Sequence, residues 1–378
     1  MKVKMTRNAY PATNSSAGPQ LLGCAWHDIC LSSATPETLF DKVEQRVGEM
    51  NAVVVHQFIF GGHQHHDSIR ERLAHVEWPV TWIYGHETAS MPVIGTQVQV
   101  IVGGAVRRLE HNGRVYGSMY TDPDFAGTCC FLGGLEPPDA SCSKNEQTRN
   151  VFESTESLLA QAGMTFDHVV RTWLYLDRIH DWYGEFNEAR TDFFRQRNVL
   201  AGLVPASTAI GAVSPSRAPI QAAVVAMKPW NGAIPAVVVS SPLQCAATQY
   251  KSSFSRAVEI ESLHARRLAV SGTASIDFDG GTLHVGDLDK QIAKTIEVLS
   301  ALIASRKFVW EDVTRMTVYA SSPAGLERFQ SYWNQHGLPP VPFCLSEADI
   351  CRPDLLFEIE LDACQRGDEV SHCNVLNQ

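Results

Sequence analysis

The chain has no uninterrupted apolar run long enough to span a bilayer, so no helical membrane span is expected. Its opening stretch, MKVKMTRNAYPATNSSAGPQ, carries two lysines but no apolar segment behind them. That is not the pattern of a secretory signal, and the Ser, Pro, Gly and Asn content reads as a loose tail. None of the ten cysteines (Cys24, Cys30, Cys129, Cys130, Cys142, Cys245, Cys344, Cys351, Cys364 and Cys373) forms a CxxC pair. Reduced thiols in a cytoplasmic protein are the expectation. Positive charge is in short supply: 31 Lys and Arg stand against 41 Asp and Glu, a net charge of −10. A protein whose task is gripping a phosphate backbone needs the opposite balance. Phosphate-cradling glycine loops and dinucleotide fingerprints are missing too. His63, His65 and His66 crowd into a Gly-rich loop, GGHQHHDS, and with His56 they make a poor zinc signature. Neither a metal nor another cofactor is expected.

What is present is repetition. The 378 residues are 44% hydrophobic and 19% charged, enough for two or three domains with ordinary cores. Three segments share one order of patterns: amphipathic helix, β-rich strand, second helix, proline turn, closing strand. The third shows it best. Asp289–Ile303 has helical spacing and Val313–Tyr319 is β-branched and aromatic; Leu326–Asn334 is helical. Pro339, Pro340 and Pro342 break that helix, and Leu355–Leu361 closes the unit. The second repeats this with Asn150–Ala162, Val169–Leu176, Trp182–Arg195, Pro205 and Ile220–Met227. The first is a weaker copy, with Leu39–Met50, Val53–Phe60, Asp67–His75, Pro79 and Gln97–Val102. Hairpin strands precede repeats two and three, at Arg114–Tyr120 with Thr128–Leu132 and at Leu268–Ser275. The expected layout is a tail at 1–19, a degenerate repeat at 20–110, repeats at 111–232 and 233–365, and a tail at 366–378.

The segments DVTRMTVYASSPAGLERFQSYWNQHG with LLFEIELDA, and HVVRTWLYLDRIHDWYGEFNEARTDFF with VPASTAIGA, resemble the RidA/YjgF family. That resemblance implies an α+β unit, a sheet with helices on one face, which usually assembles as a trimer with sites in the clefts between subunits. Three fused units would form a covalent pseudo-trimer that works as a monomer. FSRAVEI, VSGTASIDFDGGTLHVGDLDKQIAKTIE and ADICRPDLLFEIE further resemble the C-terminal half of the chorismatases, and VVRTWLYL and PASTAIGA their middle part. Chorismatases are built on the same unit. They release pyruvate from chorismate and leave a dihydroxycyclohexadiene acid or a hydroxybenzoate. The segment IHDWYGEFNEAR departs from their pattern, and residues 1–110 show little specific similarity.

Aligned by pattern, Arg171 of repeat two matches Arg315 of repeat three and His56 of repeat one. Glu358 and Glu360 match Gln221 and Ala223, and Gln97 and Gln99, so one repeat keeps both carboxylates. Two residues apart on a strand, the glutamates share a face. Mutual repulsion and burial raise the pKa of at least one, as a general acid requires. Glu360 falls on the family's usual acid position; Glu358 suits the chorismatase-like spacing, seven residues after Cys351. The bland alternative is a solvent-facing edge strand. Arg171, in an apolar strand, needs a carboxylate partner, either structural or on the substrate. The resemblance adds Arg190, expected to be exposed on its helix, and Arg352 beside Cys351; Tyr175 joins the substrate-binding set. Cys351 is a nucleophile, a residue that steers the product, or a small buried apolar side chain. Cys344 in the turn is a second thiol candidate. RidA-type imine deaminases hold the substrate carboxylate with an Arg after the Pro-Ala of the turn; here Ser207 stands there, and repeat three has Pro342.

The expected enzyme acts on a small carboxylated metabolite, with no nucleic acid and no membrane as partner. One cleft, between repeats two and three, does the chemistry, with repeat three supplying the acid and repeat two the anion clamp. A chorismatase-like loss of pyruvate is the first reading. A RidA-like enamine or imine hydrolase and a non-catalytic binding module are the alternatives.

Overall fold

The chain folds as three tandem α+β units in the computed structural model, which describes residues 25–91 and 93–367. The expected N-terminal tail, Cys24 and Cys373 lie outside the described residues, as does the end of the C-terminal tail from 368 on; Arg366 still belongs to the last strand.

Unit one contains β1 (Ala25–Ser33), α1 (Pro36–Glu49), β2 (Ala52–Phe60), α2 (His66–Leu73), β3 (Val80–Ile83) and β4 (Ile94–Val102). Unit two adds a hairpin in front: β5 (Val106–His111), β6 (Arg114–Asp122), β7 (Gly127–Leu135), α3 (Lys144–Gln161), β8 (Val169–Leu176), α4 (Tyr183–Gln196), β9 (Ala206–Gly211) and β10 (Ile220–Pro229). Unit three repeats that order: β11 (Ala236–Val239), β12 (Ala257–Glu261), β13 (Ala265–Ala274), α5 (Leu288–Ser305), β14 (Val313–Ala320), α6 (Pro323–Gln335), β15 (Phe343–Glu347) and β16 (Phe357–Arg366). The middle sheet starts at Val106, a few residues before the boundary expected at 111.

The sheet orders are β1-β4-β2-β3, β5-β6-β7-β10-β8-β9 and β11-β12-β13-β16-β14-β15. The last four strands of each are therefore one pattern repeated three times. In each unit the pair joined by a helix is parallel, β2/β3, β8/β9 and β14/β15, because a crossover helix is what lets a strand return in the same direction. Local signals set the helix limits. Ser143 and Glu146 form a capping box that starts α3 six residues earlier than periodicity suggested. Asp287 caps α5, and Pro36 and Pro323 occupy the first turns of α1 and α6.

Alternation on the strands sorts residues into two kinds of core. On β16, Phe357, Ile359, Leu361 and Ala363 pack under α5 and α6. Glu358, Glu360 and Asp362 take the other face, which meets the inner faces of the other two sheets. That shared centre holds Phe58, Phe131, Trp173, Tyr175 and Tyr319. Backbone hydrogen bonds close the three units into a ring: Gly211 with Asp349, Tyr84 with Val213, and His86 with Glu347.

The strand register corrects one alignment. His56 faces Gln99, Phe58 faces Gln97 and Phe60 faces Gly95, whereas Arg315 faces Asp362, Thr317 faces Glu360 and Tyr319 faces Glu358. Gln97 therefore stands at the place of Glu360 and Gly95 at that of Glu358; the expected pairing with Gln97 and Gln99 is two residues out. The repeat-two alignment agrees with the register, since Tyr175 faces Gln221 and Trp173 faces Ala223.

Candidate active site

β16 carries three carboxylates on one face, and each meets a different environment. Glu360 is fully buried in the centre of the ring. Its Oε2 accepts from Arg171 Nη2 at 2.6 Å, Trp173 Nε1 at 2.7 Å and Thr208 Oγ1 at 2.5 Å. Its Oε1 accepts from Thr317 Oγ1 at 2.9 Å and Arg315 Nη2 at 3.2 Å. The Tyr319 hydroxyl donates to Oε1 at 3.4 Å as well, so two guanidiniums and four neutral donors saturate it. Glu360 thus ties unit two to unit three as a paired anion, an arrangement that does not favour the expected role as an acid. The same contact gives Arg171 a structural carboxylate partner in Glu360 through Nη2. Tyr175 also faces this centre, beside Glu360, rather than a binding cleft.

Glu358, two residues earlier, is 4% exposed, and its carboxyl makes no hydrogen bond with any described residue. It lines a cleft of about 790 Å³ between units two and three. Burial, and then the negative charge of Glu360, push its carboxyl up to about 8. At neutral pH it therefore holds a proton. Gly272 makes the room it occupies: a Cβ there would collide with the Glu358 carboxylate. Cys351 and Tyr183 share the cleft. Burial pushes the Cys351 thiol up to about 12, with Glu358 reinforcing the shift, so it is a neutral thiol and a poor nucleophile.

The opposite wall is a ladder of cations and rings. Arg352 lies 5.2 Å from the Tyr250 centroid and Arg256 lies 5.3 Å from the same ring. Arg256 and Arg190 then flank Phe254 at 5.6 and 5.9 Å, and Arg190 also sits 5.0 Å from Phe186. Interleaving with aromatic faces lets three like charges stand close together. Their polar partners are few. Arg190, 1% exposed, donates Nη2 to Asn187 Oδ1 at 2.6 Å, while its Nε and Nη1 have no partner. Arg256 donates Nε to the Cys245 carbonyl at 2.9 Å and leaves Nη2 unpaired. Arg352 donates to the Gly280 carbonyl at 2.6 Å. A buried cation without an anion is costly, so this wall is built for an anion supplied from outside.

The cleft thus gathers Glu358, Cys351, Arg190, Arg352 and Ser207 from the residues singled out in the sequence. Arg190 was expected to be exposed; α4 instead turns it inward against two phenylalanines. Ser207 Oγ accepts from Thr172 Oγ1 at 2.8 Å. Cys344 is elsewhere, with Sγ packed over Gly95 where unit one meets unit three and 3.3 Å from the Thr96 carbonyl. Its covered position removes it from the site. Sequence reading missed Arg256, Tyr250 and Tyr183. Arg256 lay inside the quoted FSRAVEI segment, and the Tyr250, Phe254, Arg256 spacing was the available signal. His56 is buried between Thr81 and Gln99, and burial drives its imidazole down to about 3. His63, His65 and His66 stand at the start of α2, and the described residues contain no group of three His, Cys, Asp or Glu that could hold a metal.

A sequence profile of the family described as Endoribonuclease L-PSP matches residues 128–227 and 246–365, more than half of the chain. This protein belongs to that family. A chorismatase crystal structure superposes with a TM-score of 0.65 at 19% identity, covering 90% of this chain and 99% of that one. The likeness places both on one three-unit fold. A putative endoribonuclease from Thermotoga maritima and yeast Mmf1 are similar at 21% and 15% identity, each covering 35% of this chain and 98% and 99% of their own, with TM-scores of 0.29. No curated protein matches the sequence. No helix among the described residues is long and apolar enough to cross a membrane.

Proposed function

We propose that this protein is a chorismatase-like enzyme: it binds a small dicarboxylate carrying an enol ether, chorismate or a close analogue, and releases pyruvate. One observation carries the reading. A carboxyl that is neutral at pH 7 and free of hydrogen-bond partners shares a cleft with three arginines, of which Arg190 and Arg256 have buried N–H groups without partners. Arg190, Arg256 and Arg352 would hold the substrate carboxylates. Glu358 would give its proton to the terminal methylene of the enolpyruvyl group, leaving a cation at the ether carbon. Water, or a group on the substrate itself, then adds there. In the water route Glu358, now ionised, takes a proton from that water, and the hemiketal collapses to pyruvate and the ring alcohol. Protonating carbon is slow without a positioned acid, and a raised pKa keeps the acid loaded at working pH. A neutral Cys351 beside Glu358 shapes the space around the ring rather than attacking it.

Incubation with chorismate and measurement of pyruvate tests this directly. Pyruvate above background that disappears in Glu358→Gln is the expected result; no pyruvate sinks the proposal. A second reading has one observation in its favour: Arg190 and Arg256 supply the cation missing at Ser207, so a RidA-like imine hydrolase can still hold a carboxylate. Ammonia released from freshly generated 2-aminoacrylate, without pyruvate from chorismate, would support it instead.

A further inference from the structure

The third carboxylate of the β16 face, Asp362, lines a second cavity, of about 850 Å³, that does not include Glu358. The two carboxylates lie four residues apart on the strand, about 13 Å at ~3.3 Å per residue. The Glu360 network stands between them. This cavity is walled by Trp26, Tyr120, Phe131 and Trp173 and reaches in to Arg171. Its rings are ordered: Trp26 stacks on Phe131 at 6.3 Å, and Phe131 on Trp173 at 5.7 Å with an interplanar angle of 8°. Its polar groups are incompletely used. Arg171, 2% exposed, spends Nη2 on Glu360 and Thr208 but leaves Nε and Nη1 without partners. The Tyr120 hydroxyl, equally buried, has only the Cys129 thiol beside it. Arg267 is paired with Asp122 at 3.2 Å and lies 5.8 Å from the Trp26 ring.

We propose that this cavity is a second ligand site, which takes a flat aromatic or conjugated monocarboxylate. The flat face would stack on Trp26 and Phe131, and the carboxylate would meet the free N–H groups of Arg171 and the Tyr120 hydroxyl. One carboxylate suffices, because Arg267 and Arg315 already have acidic partners. A larger anion would meet Asp28 and Asp362 on the same wall. The site is also wired to the cleft. Arg171 bonds Glu360, and both act on the Glu358 proton, Glu360 raising its pKa and Arg171 lowering it. An anion against Arg171 offsets that lowering, so an occupied second site holds Glu358 protonated to higher pH. This proposal stands whether or not chorismate is the substrate.

The test is a titration of the full-length protein with benzoate, read by calorimetry and tryptophan fluorescence, with cyclohexylamine as the cationic control. Saturable benzoate binding is expected, with none of the amine. Trp26→Ala should weaken it roughly tenfold through loss of stacking. Tyr120→Phe, which keeps the ring and the fold, should weaken it about fivefold through loss of one hydrogen bond. Arg256→Met, in the other cleft, should leave this binding unchanged. Absence of saturable binding at millimolar benzoate overturns the proposal. So does binding that Arg256→Met abolishes while Trp26→Ala and Tyr120→Phe retain it, since the benzoate would then sit in the cleft beside Glu358.

Discussion

The interface between units two and three and the one between units three and one are built from corresponding strands, yet the same strand position meets different surroundings in each. At the first, Glu358 faces a cleft and three arginines. At the second, the corresponding residue is Gly95, and the Cys344 thiol packs over it, with Sγ 3.4 Å from where a Cβ would stand. Unit two has Gln221 in the same place, donating to Glu136 at 2.7 Å. The scaffold repeats but the electrostatics do not. The cleft between units two and three combines a carboxyl kept neutral by burial, a wall of arginines and a glycine that leaves the carboxyl room.

Substitutions can break that contrast. Glu358→Gln gives the working cleft the residue that its unit-two counterpart already has, and pyruvate formation should fall about 10²–10⁴-fold with folding intact. The reverse change, Gln221→Glu, should create no activity, because among the described residues its side-chain partner is Glu136 and no series of arginines and rings stands beside it. Glu360→Gln should fail differently. It leaves Arg171 and Arg315 short of a buried partner, so it should cost about 3–5 kcal/mol of stability, read by chemical denaturation. Arg190→Met and Arg256→Met should each raise KM about tenfold or more while thermal stability holds or rises, since each removes a buried cation short of partners.

The pH dependence sharpens the comparison further. The proposed reaction uses the protonated form of Glu358, so kcat should decline as pH rises through about 8. Stability follows the same group. The folded carboxyl keeps its proton between the ordinary value of 4.5 and about 8, where the unfolded chain releases it. Its contribution is therefore complete below 4.5 and is lost as pH rises through that window. Glu358→Gln should lack this slope, and a melting series from pH 5 to 9 would show the wild type losing ground to the variant. The smallest effect is expected from Cys351→Ala, less than about threefold in kcat, because a thiol with a pKa near 12 supplies no nucleophile at neutral pH.

Much of this was legible in the order of residues. Periodicity of 3.6 and of 2 located the helices and the central strands within a few positions, and β8 matched in full. The edge strands β1, β5 and β11 and their neighbour β12 were not read, and the edge strands β3, β9 and β15 were read only as proline turns, because short or half-exposed strands carry weak alternation. The two glutamates were visible as a pair, but their difference was not. Identical side chains two positions apart share a face and a pattern, and nothing local says that one ends among Arg171, Arg315 and Trp173 while the other ends in open space. The register slip at Gln97 has a similar cause: in QVQVIV either glutamine satisfies the alternation, and the pairing with β2 alone decides.

Sequence alone determined the repeated α+β unit, the loss of acid and arginine from the first copy, and the presence of a carboxylate pair on the last strand. Those are properties of local pattern, which the chain carries wherever it folds. Tertiary structure decided which glutamate is paired and which faces the cleft unpaired, that Arg171 is tied to Glu360, and that Arg256 lines the same cleft as Glu358. A pKa and a pairing depend on what other strands bring within a few ångströms, and here the decisive partners of Glu360 lie up to 189 residues away along the chain.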